Sequence, residues 1–379
     1  MEPHAFEGKD KRCGGHPTIT MSQEILFILS RLHLPLQPKP PSSPKRKMKK
    51  WIFGAIALFV VTVAAAVVFA LATGLRPSRP VGFQFVRVPD KNGPALNVAV
   101  WYPTEARSWP ALLGLIVQFV ANDGPVAGTS LPLVIISHGT GGGPSSHADT
   151  ALALASAGFV VAAPMHTGDN YADQSGVGTR DWLLSRSRQV PTVIDYLLTT
   201  WPDHARIDAS KIGMFGFSAG AFTALTTIWG IPDLALIAGH CAKTPELACQ
   251  IWKPIGTEVP TAGSFAHDPR VKAAVIAAPG YGFTFVPNGL ANVTVPVQIW
   301  TGTMDSIVPT ASNAAPVQAA LGAKADLRVV AGAAHFSFLV PCGPIGPPVL
   351  CRDSNGFDRK LFHIYFNQEV LRFFHAHLN

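Results

Sequence analysis

The segment KIGMFGFSAGAFTAL, residues 211–225, holds a serine in the pattern G-x-S-x-G, with Ser218 at its centre. The residues before Ser218 are predicted to form a buried strand, and those after it a helix. A serine at such a turn is held clear of the backbone, at a helix N-terminus whose dipole favours developing negative charge. Because a free serine is a weak nucleophile, this chemistry also needs a base. The alternative is a glycine-rich helix start that Ser218 merely caps.

The base and the acid that would serve Ser218 are expected after later strands, in the order serine, acid, histidine. His335 follows the last predicted strand, in VVAGAAHFSF, and is the predicted general base. Asp305 follows the strand VPVQIWTGT and is predicted to orient the imidazole and stabilise the imidazolium. The rival residues are less well placed: His363, His375 and His377 on a terminal helix, His240 and His267 in an insertion, Asp326 at the start of a strand, and Asp195 within a helix.

Acyl transfer also needs two backbone N–H groups for the oxyanion. Ala219, the residue after the nucleophile, is predicted to supply one of them. The loop HGTGGGPSS follows the strand LPLVIIS and is placed to supply the other. Thr140 is the predicted donor, with Gly139 or Gly141 as alternatives, since glycines let the backbone approach a substrate. His138 is predicted to hold this loop by hydrogen bonds rather than to transfer protons.

The same glycine-rich loop lacks the sequence of a phosphate site. A P-loop ends in lysine followed by serine or threonine, and Pro144 stands where a dinucleotide fingerprint has its third glycine. His138, His147 and His166 do not have the spacing of a metal-ligand motif. We therefore predict neither a metal nor an organic cofactor.

Strands and helices that must position these residues alternate from residue 81 onwards. VGFQFVRV and LNVAVWYP are predicted to form an antiparallel pair, and later apolar runs such as LPLVIIS to form buried parallel strands. This alternation predicts an α/β fold, a mostly parallel sheet with helices on both faces and reactive loops at the carboxyl ends of the strands. Residues 231–268 interrupt the alternation and are predicted to form a small lid-like insertion.

The N-terminal part has a different composition. A run of 22 uncharged residues, Trp51 to Ala72, follows five basic residues between positions 45 and 50. Residues 48–72 are therefore predicted to be a signal peptide cleaved after Ala72, or an uncleaved membrane anchor. Both place residues 73–379, the predicted catalytic domain, outside the cytosol, as a periplasmic, secreted or anchored protein. Residues 1–47 are predicted to be a disordered leader or a mis-assigned start, with Met48 as the true start.

The charge of the predicted catalytic domain argues against a nucleic-acid partner. The formal net charge of the chain is +7, but residues 73–379 hold 20 basic and 19 acidic side chains. No basic stripe is therefore available to neutralise phosphates. A membrane contact is expected only through the N-terminal segment, if it is uncleaved, and the sequence predicts no oligomeric state.

Four of the five cysteines fall into two local pairs, Cys241 with Cys249 and Cys342 with Cys351. In an exported domain these are predicted to be short-loop disulfides, with other pairings left open. A zinc site is the weaker alternative, because neither pair has C-x-x-C spacing.

The motifs SHGTGGG and GFSAG, followed by Asp305 and His335, resemble those of an α/β-hydrolase. Over residues 81–379 the pattern is similar to the branch that contains bacterial dienelactone-hydrolase-like proteins and platelet-activating-factor acetylhydrolase-like esterases. This resemblance implies ester hydrolysis. Dienelactone hydrolases carry a cysteine nucleophile, and because Ser218 departs from that pattern, the dienelactone substrate is not implied.

The combined hypothesis is a serine carboxylic-ester hydrolase that acts through an acyl-enzyme on a small or lipid-like ester. Gly139, Phe217, Met165 and Phe336 are the residues predicted to bind the substrate, with Tyr281 and Phe283 as further aromatic neighbours. The alternative is that most of these side chains belong to the core. Two alternatives stay open. A serine peptidase or amidase would use the same three residues, and a non-catalytic binding protein would keep only the fold.

Overall fold

The computed structural model describes residues 44–179, 181–252, 262–286, 288–343, 346–354 and 356–378. Most of the predicted leader lies outside these residues, as do positions 253–261 of the predicted insertion. The described residues fall into two units, the first up to Thr62 and the second from Val63 onwards. Helix α1 comprises Pro44–Thr73.

Helix α1 carries the apolar run that the sequence singled out. Its part Met48–Thr73 has 26 residues, and the most apolar 18-residue stretch within it has a mean hydropathy of 2.8, so it is long and apolar enough to cross a membrane. A signal sequence near an N-terminus can also meet this criterion of length and composition. The helix is therefore compatible with the predicted export, and the choice between signal and anchor stays a prediction.

The second unit is built on a ten-stranded sheet. The strands are β1 (Val81–Val88), β2 (Leu96–Pro103), β3 (Trp109–Leu113), β4 (Ile116–Asn122), β5 (Leu131–Ser137), β6 (Val160–Pro164), β7 (Ile207–Phe217), β8 (Val271–Ala277), β9 (Val297–Gly302) and β10 (Ala325–Val330). Their order across the sheet is β10-β9-β8-β7-β5-β6-β2-β1-β4-β3. Strands β5 to β10 pair in parallel, and β2 pairs antiparallel with β1 and β6.

Helices cover both faces of this sheet. They are α2 (Ala148–Ser156), α3 (Trp182–Thr199), α4 (Ala219–Thr227), α5 (Leu236–Lys243), α6 (Leu247–Ile251), α7 (Ala314–Leu321), α8 (Pro348–Cys351) and α9 (Arg359–Leu378). One apolar core includes side chains of α3, α4 and α7, and a second includes side chains of α2 and α9. Strands such as β5 and β9 are buried along most of their length because both faces are covered. The predicted α/β-hydrolase fold is confirmed.

The hairpin of β3 and β4 was not predicted from the sequence. It lies at the end of the sheet beyond β1, and β4 pairs with β1 over only two residue pairs. Strand β3 contains Pro110, which cannot donate a ladder hydrogen bond and is tolerated in an edge strand. The run WPALL also lacks the apolar–polar alternation by which a strand is recognised.

The loops that matter for chemistry leave the carboxyl ends of neighbouring strands. The glycine-rich loop follows β5, Ser218 follows β7, and Gly280 follows β8. Asp305 follows β9 and His335 follows β10. Because these strands are parallel neighbours, their loops meet at one edge of the sheet, where α/β proteins bind ligands.

Candidate active site

Ser218 occupies a strained turn between β7 and α4. Its backbone has φ 55° and ψ −117°, a conformation that residues other than glycine rarely adopt. A Cβ atom at Gly216 would lie 2.2 Å from the carbonyl oxygen of Gly220, and one at Gly220 would lie 1.9 Å from that of Ser137. The two glycines of the motif are therefore required by close backbone approach, which lets the turn present the serine hydroxyl.

His335 joins Ser218 to Asp305. The imidazole Nε2 lies 3.1 Å from Ser218 Oγ, and Nδ1 lies 2.8 Å from Asp305 Oδ2. The imidazole and the carboxylate are almost completely buried, whereas Ser218 is half-buried and reachable from the cavity described below. The structure thus brings the three residues predicted from the sequence within hydrogen-bonding distance of one another. His335 lies between Ser218 and Asp305, the position from which it could accept the serine proton.

The carboxylate of Asp305 is fixed by its own loop. Oδ1 accepts hydrogen bonds from the N–H groups of Ile307 and Val308, each at 2.9 Å. The second oxygen, Oδ2, is left for His335. Each oxygen therefore has a separate task, and the side chain cannot rotate without losing backbone hydrogen bonds.

The loop that carries His335 is anchored through Ser337, two residues later. Ser337 Oγ accepts from the N–H of Ala334 at 3.0 Å and donates to Asp353 Oδ1 at 2.7 Å. The carbonyl of Ser337 accepts from His363 Nε2 at 2.9 Å. The imidazole itself packs against Phe217, with ring centroids 4.8 Å apart. Its position is consequently held by both polar and apolar contacts.

The N–H groups of Ala219 and Thr140 are the predicted oxyanion donors. Ala219 is the first residue of α4, so its N–H has no intrahelical carbonyl to bind. Among the described residues, no group accepts a hydrogen bond from the N–H of Thr140. Both residues line the cavity at Ser218, as predicted donors to an oxyanion should.

Gly139 is also close to the nucleophile. A Cβ atom at this position would lie 2.9 Å from the ring of Phe217 and 3.2 Å from Cβ of Ser218. Gly139 is not among the described residues that line the cavity. The structure therefore supports close backbone approach at Gly139, next to the serine.

His138 and His166 form a buried layer beneath the glycine-rich loop. His138 Nδ1 donates to the carbonyl of Gly139 at 2.7 Å, and its Nε2 accepts from the N–H of His166 at 3.2 Å. Burial, with the positive charge of Arg186, lowers the pKa of His138 to about 4 and that of His166 well below its usual value. His138 is thus a neutral ring with both nitrogens occupied, which agrees with the loop-holding role predicted for it.

A cavity of about 150 Å³ opens at Ser218. Its lining is mostly apolar and consists of Thr140, Phe217, Ser218, Ala219, Leu247, Ala248, Ile251, Gly280, Tyr281, Ile307, Val308, His335 and Phe336. Phe217 and Phe336, both predicted to bind substrate, are among these residues. Met165 is not among the described lining residues, because it follows β6, and β5 lies between β6 and the strand that carries Ser218.

Three of the lining residues come from the predicted insertion and were missed in the sequence. Leu247, Ala248 and Ile251 lie on α6. The disulfide between Cys241 and Cys249 joins this short helix to α5. An apolar run that contains a cysteine, between two strands that carry site residues, was the available signal.

The insertion is tied to the rest of the site by one buried carboxylate. Glu246 accepts from His240 Nε2 at 2.7 Å and from the side-chain amide of Asn313 at 2.9 Å. Tyr281 adds a hydrogen bond from its hydroxyl to the carbonyl of Ala248 at 3.2 Å. These contacts hold α6 against the cavity.

The other rival residues have partners elsewhere. His363 contacts Asp149 on α2 at 2.6 Å, and His267 Nδ1 lies 2.5 Å from the carbonyl of Thr226. Asp326 pairs with Arg328, and Asp195 with Arg270.

The second cysteine pair, Cys342 with Cys351, is joined in a disulfide beyond the His335 loop. No group of three or more histidine, cysteine or acidic side chains is placed to hold a metal ion in the described part of the chain.

Comparison with known proteins finds similarity to esterases. Residues 114–181, which include the glycine-rich loop, match the family model of platelet-activating factor acetylhydrolase, isoform II. A search among curated proteins finds no match. The structure of a ferulic acid esterase from Streptomyces cinnamoneus is similar, with a TM-score of 0.55 and 18% sequence identity, over 81% of this chain and 94% of that chain.

These comparisons support the class expected from the sequence, an α/β-hydrolase-like ester hydrolase. The structural neighbour shows the fold across most of the second unit, and the family match falls on the segment that contains Thr140.

Proposed function

We propose that the chain is a serine carboxylic-ester hydrolase with Ser218 as nucleophile, His335 as general base and Asp305 as the residue that orients His335. The observation that carries this proposal is the position of His335, 3.1 Å from Ser218 Oγ and 2.8 Å from Asp305 Oδ2. The family match and the fold support the same reaction class.

In the first step, Ser218 Oγ attacks the ester carbonyl while its proton passes to His335 Nε2. The carbonyl oxygen becomes an oxyanion that accepts hydrogen bonds from the N–H groups of Thr140 and Ala219. His335 then gives the proton to the alkoxide that leaves, and an acyl-enzyme on Ser218 remains. Water gives a proton to His335 Nε2 and attacks the acyl carbon; the bond from that carbon to Ser218 Oγ then breaks, His335 returns the proton to Oγ, and the acid is released. Asp305 stabilises the imidazolium that forms in each step.

The size of the cavity supports a short acyl group. A cavity of about 150 Å³ is the size that admits a molecule such as benzene. The apolar side chains of Leu247, Ala248 and Ile251 suit an alkyl or small aromatic acyl group rather than a charged one. We therefore propose acetyl to butyryl esters as the preferred chromogenic substrates, with turnover falling for chains of about eight carbons.

Substitution of Ser218 tests the nucleophile. Ser218→Ala should lower kcat for a chromogenic butyrate by a factor of about 10⁴ or more. Ser210→Ala is a matched control, since Ser210 is exposed at the opposite end of β7 and its hydroxyl donates to Asp208 Oδ1. Undiminished turnover by the folded Ser218 variant would rule out this nucleophile.

Two measurements separate the alternative functions. A fluorophosphonate probe should label the wild-type chain and leave Ser218→Ala unlabelled, whereas a non-catalytic binding protein would leave both unlabelled. A pair of substrates with the same acyl group, one an ester and one an amide, separates an esterase from a peptidase or amidase. Faster hydrolysis of the amide would favour the peptidase alternative.

We further propose that the reaction takes place outside the cytosol. The two disulfides and the apolar helix α1 support export. In this proposal residues 73–379 are the catalytic domain and residues 231–268 act as its lid. N-terminal sequencing of the native protein tests the two modes of export, because a mature terminus near Thr73 indicates cleavage and an intact α1 in the membrane fraction indicates an anchor.

A further inference from the structure

A buried ion pair lies directly behind the glycine-rich loop and is not used by the proposed mechanism. Arg186, on α3, and Asp169, after β6, are both completely inaccessible to solvent. Arg186 Nη1 lies 2.6 Å from Asp169 Oδ2. Burial lowers the pKa of the arginine, and Asp169 opposes this shift. A buried ion pair often adds no stability over an apolar pair of the same size. The contacts of this pair indicate instead that it fixes the geometry of the glycine-rich loop.

Both members of the pair bind the glycine-rich loop. Arg186 Nη2 donates to the carbonyl of His138, and Asp169 Oδ1 accepts from the N–H of Gly141 at 2.7 Å. These two backbone groups flank Thr140, one on each side. The pair therefore fixes the loop before and after the predicted oxyanion donor.

The intervening peptide is fixed from the same side. The carbonyl of Gly139 accepts from His138 Nδ1 at 2.7 Å and from the N–H of Gly142 at 3.0 Å. In a planar trans peptide, the N–H of the next residue points away from that carbonyl. The N–H of Thr140 is thereby turned away from the His138 ring, and Thr140 lines the cavity at Ser218.

Other contacts hold the ion pair itself in place. The indole N–H of Trp182 donates to Asp169 Oδ2 at 2.5 Å. Arg186 Nε donates to Thr223 Oγ1, on α4, at 3.2 Å, and Nη2 donates to Ser137 Oγ at 3.2 Å. The guanidinium thus connects the end of β5, the loop after β6, and the helix that begins at the nucleophile.

We propose that Arg186 and Asp169 are positioning residues that aim the N–H of Thr140 at the oxyanion formed on Ser218. This inference rests on the proposed function. The pair acts through the loop and touches neither the substrate nor the reacting atoms. Its contribution is therefore made only when the carbonyl carbon becomes tetrahedral, which predicts an effect on kcat with little effect on KM.

The conservative variants Arg186→Lys and Asp169→Asn test this role. Lysine keeps the charge but lacks the planar fork that reaches Asp169, the His138 carbonyl and Thr223 together. Asparagine keeps an oxygen for the N–H of Gly141 but loses the charge. Each should lower kcat by about 10²–10³ if the donor is fully misaligned, and by less if part of the alignment survives, with KM changed by less than about threefold.

A transition-state analogue supplies a readout that a merely structural role would not change. A short alkyl trifluoromethyl ketone accepts Ser218 Oγ at its carbonyl carbon, its C=O π pair becomes an oxyanion, and the serine proton passes to His335. Its inhibition constant should rise in each variant by the same factor as kcat/KM falls. Arg270→Lys is the control, because Arg270 pairs with Asp268 ahead of β8, at the opposite edge of the sheet.

The outcomes separate this inference from the proposed function. Absence of fluorophosphonate labelling in the wild-type chain would contradict the proposed function itself. If the wild type is labelled and active, but folded Arg186→Lys and Asp169→Asn keep both kcat and ketone affinity within about threefold, the positioning role is wrong. Should either variant fail to fold, Trp182→Phe removes the hydrogen bond to Asp169 and keeps an aromatic ring beside Tyr281, and a severalfold loss of kcat with matched loss of ketone affinity is expected. Unchanged values in Trp182→Phe would count against the role.

Discussion

Replacement of Asp305 by asparagine tests the catalytic geometry in detail. Oδ1 of Asp305 accepts two backbone N–H groups, from Ile307 and Val308, at 2.9 Å each. An asparagine at this position must therefore place its carbonyl oxygen toward them, which turns its NH₂ group toward His335 Nδ1. That nitrogen then has to accept, and the neutral ring carries its proton on Nε2. In this tautomer His335 cannot take the proton of Ser218.

The expected loss follows from the wrong tautomer rather than from a lost charge alone. In a serine enzyme of another fold this substitution lowers kcat by about 10⁴ while the geometry is kept. Here we expect a fall of about 10³–10⁴ in kcat, or about 4–5.5 kcal/mol of transition-state stabilisation, with KM nearly unchanged. The loss in Asp305→Asn should be at least as large as in Asp305→Ala, because alanine leaves the tautomer of His335 free.

The assay is steady-state hydrolysis of a chromogenic butyrate, with a thermal melt of each variant to confirm that it is folded. Asp326→Asn is the control, since Asp326 lies at the start of β10 and pairs with Arg328 away from the site. Activity of Asp305→Asn within about tenfold of the wild type would refute the reasoning about the tautomer.

Three further predictions concern the turn, the buried histidines and the insertion. Gly220→Ala should abolish activity and lower Tm, because its Cβ would lie 1.9 Å from the carbonyl oxygen of Ser137; an active variant with an unchanged melt would contradict this. Burial lowers the pKa of His147 to about 3. Below about pH 6.5 the imidazole is therefore protonated in the unfolded chain but stays neutral in the folded chain. The free energy of unfolding should consequently fall as the pH drops from about 6.5 toward about 3. His147→Met should make this fall shallower by up to about 1.4 kcal/mol per pH unit in urea titrations at about pH 7 and about pH 5, and an unchanged slope would count against it. The double variant Cys241→Ser, Cys249→Ser should raise KM severalfold with a smaller change in kcat, measured with the butyrate ester, whereas a loss confined to kcat would place the disulfide in the catalytic machinery.

The sequence predicted those parts of the site that depend on local motifs and on the order of strands. Ser218 could be found because its turn demands two glycines, and Asp305 and His335 because parallel strands bring their carboxyl ends to one edge. The cavity wall on α6 could not be placed, since its position depends on Glu246 and on the Cys241–Cys249 disulfide, which act between segments.

The pair Arg186 and Asp169 could not be predicted for a different reason. An arginine on a helix is usually solvent-exposed, and only the packing of α3 against α4 shows that this one is buried. Met165 is the converse case, a predicted residue that is not among the described residues lining the cavity. It follows a predicted strand and is apolar, but β6 lies two places from β7 in the sheet, a distance that chain order alone does not give.

The contacts divide the site into parts with different freedom to change. Helices on the two faces of the sheet hold the two loops beside Ser218: α3 holds the loop of Thr140 through Arg186, and α9 holds the loop of His335 through His363. Each contact joins a packed helix to a loop, so a change in either should alter kcat before it alters binding. Within the described part of the chain, the wall formed by α6 makes no hydrogen bond to Ser218, His335 or Asp305, and it is held by Glu246, Tyr281 and a disulfide. Substitutions on α6 should therefore change which acyl chain is accepted while the chemistry at Ser218 continues.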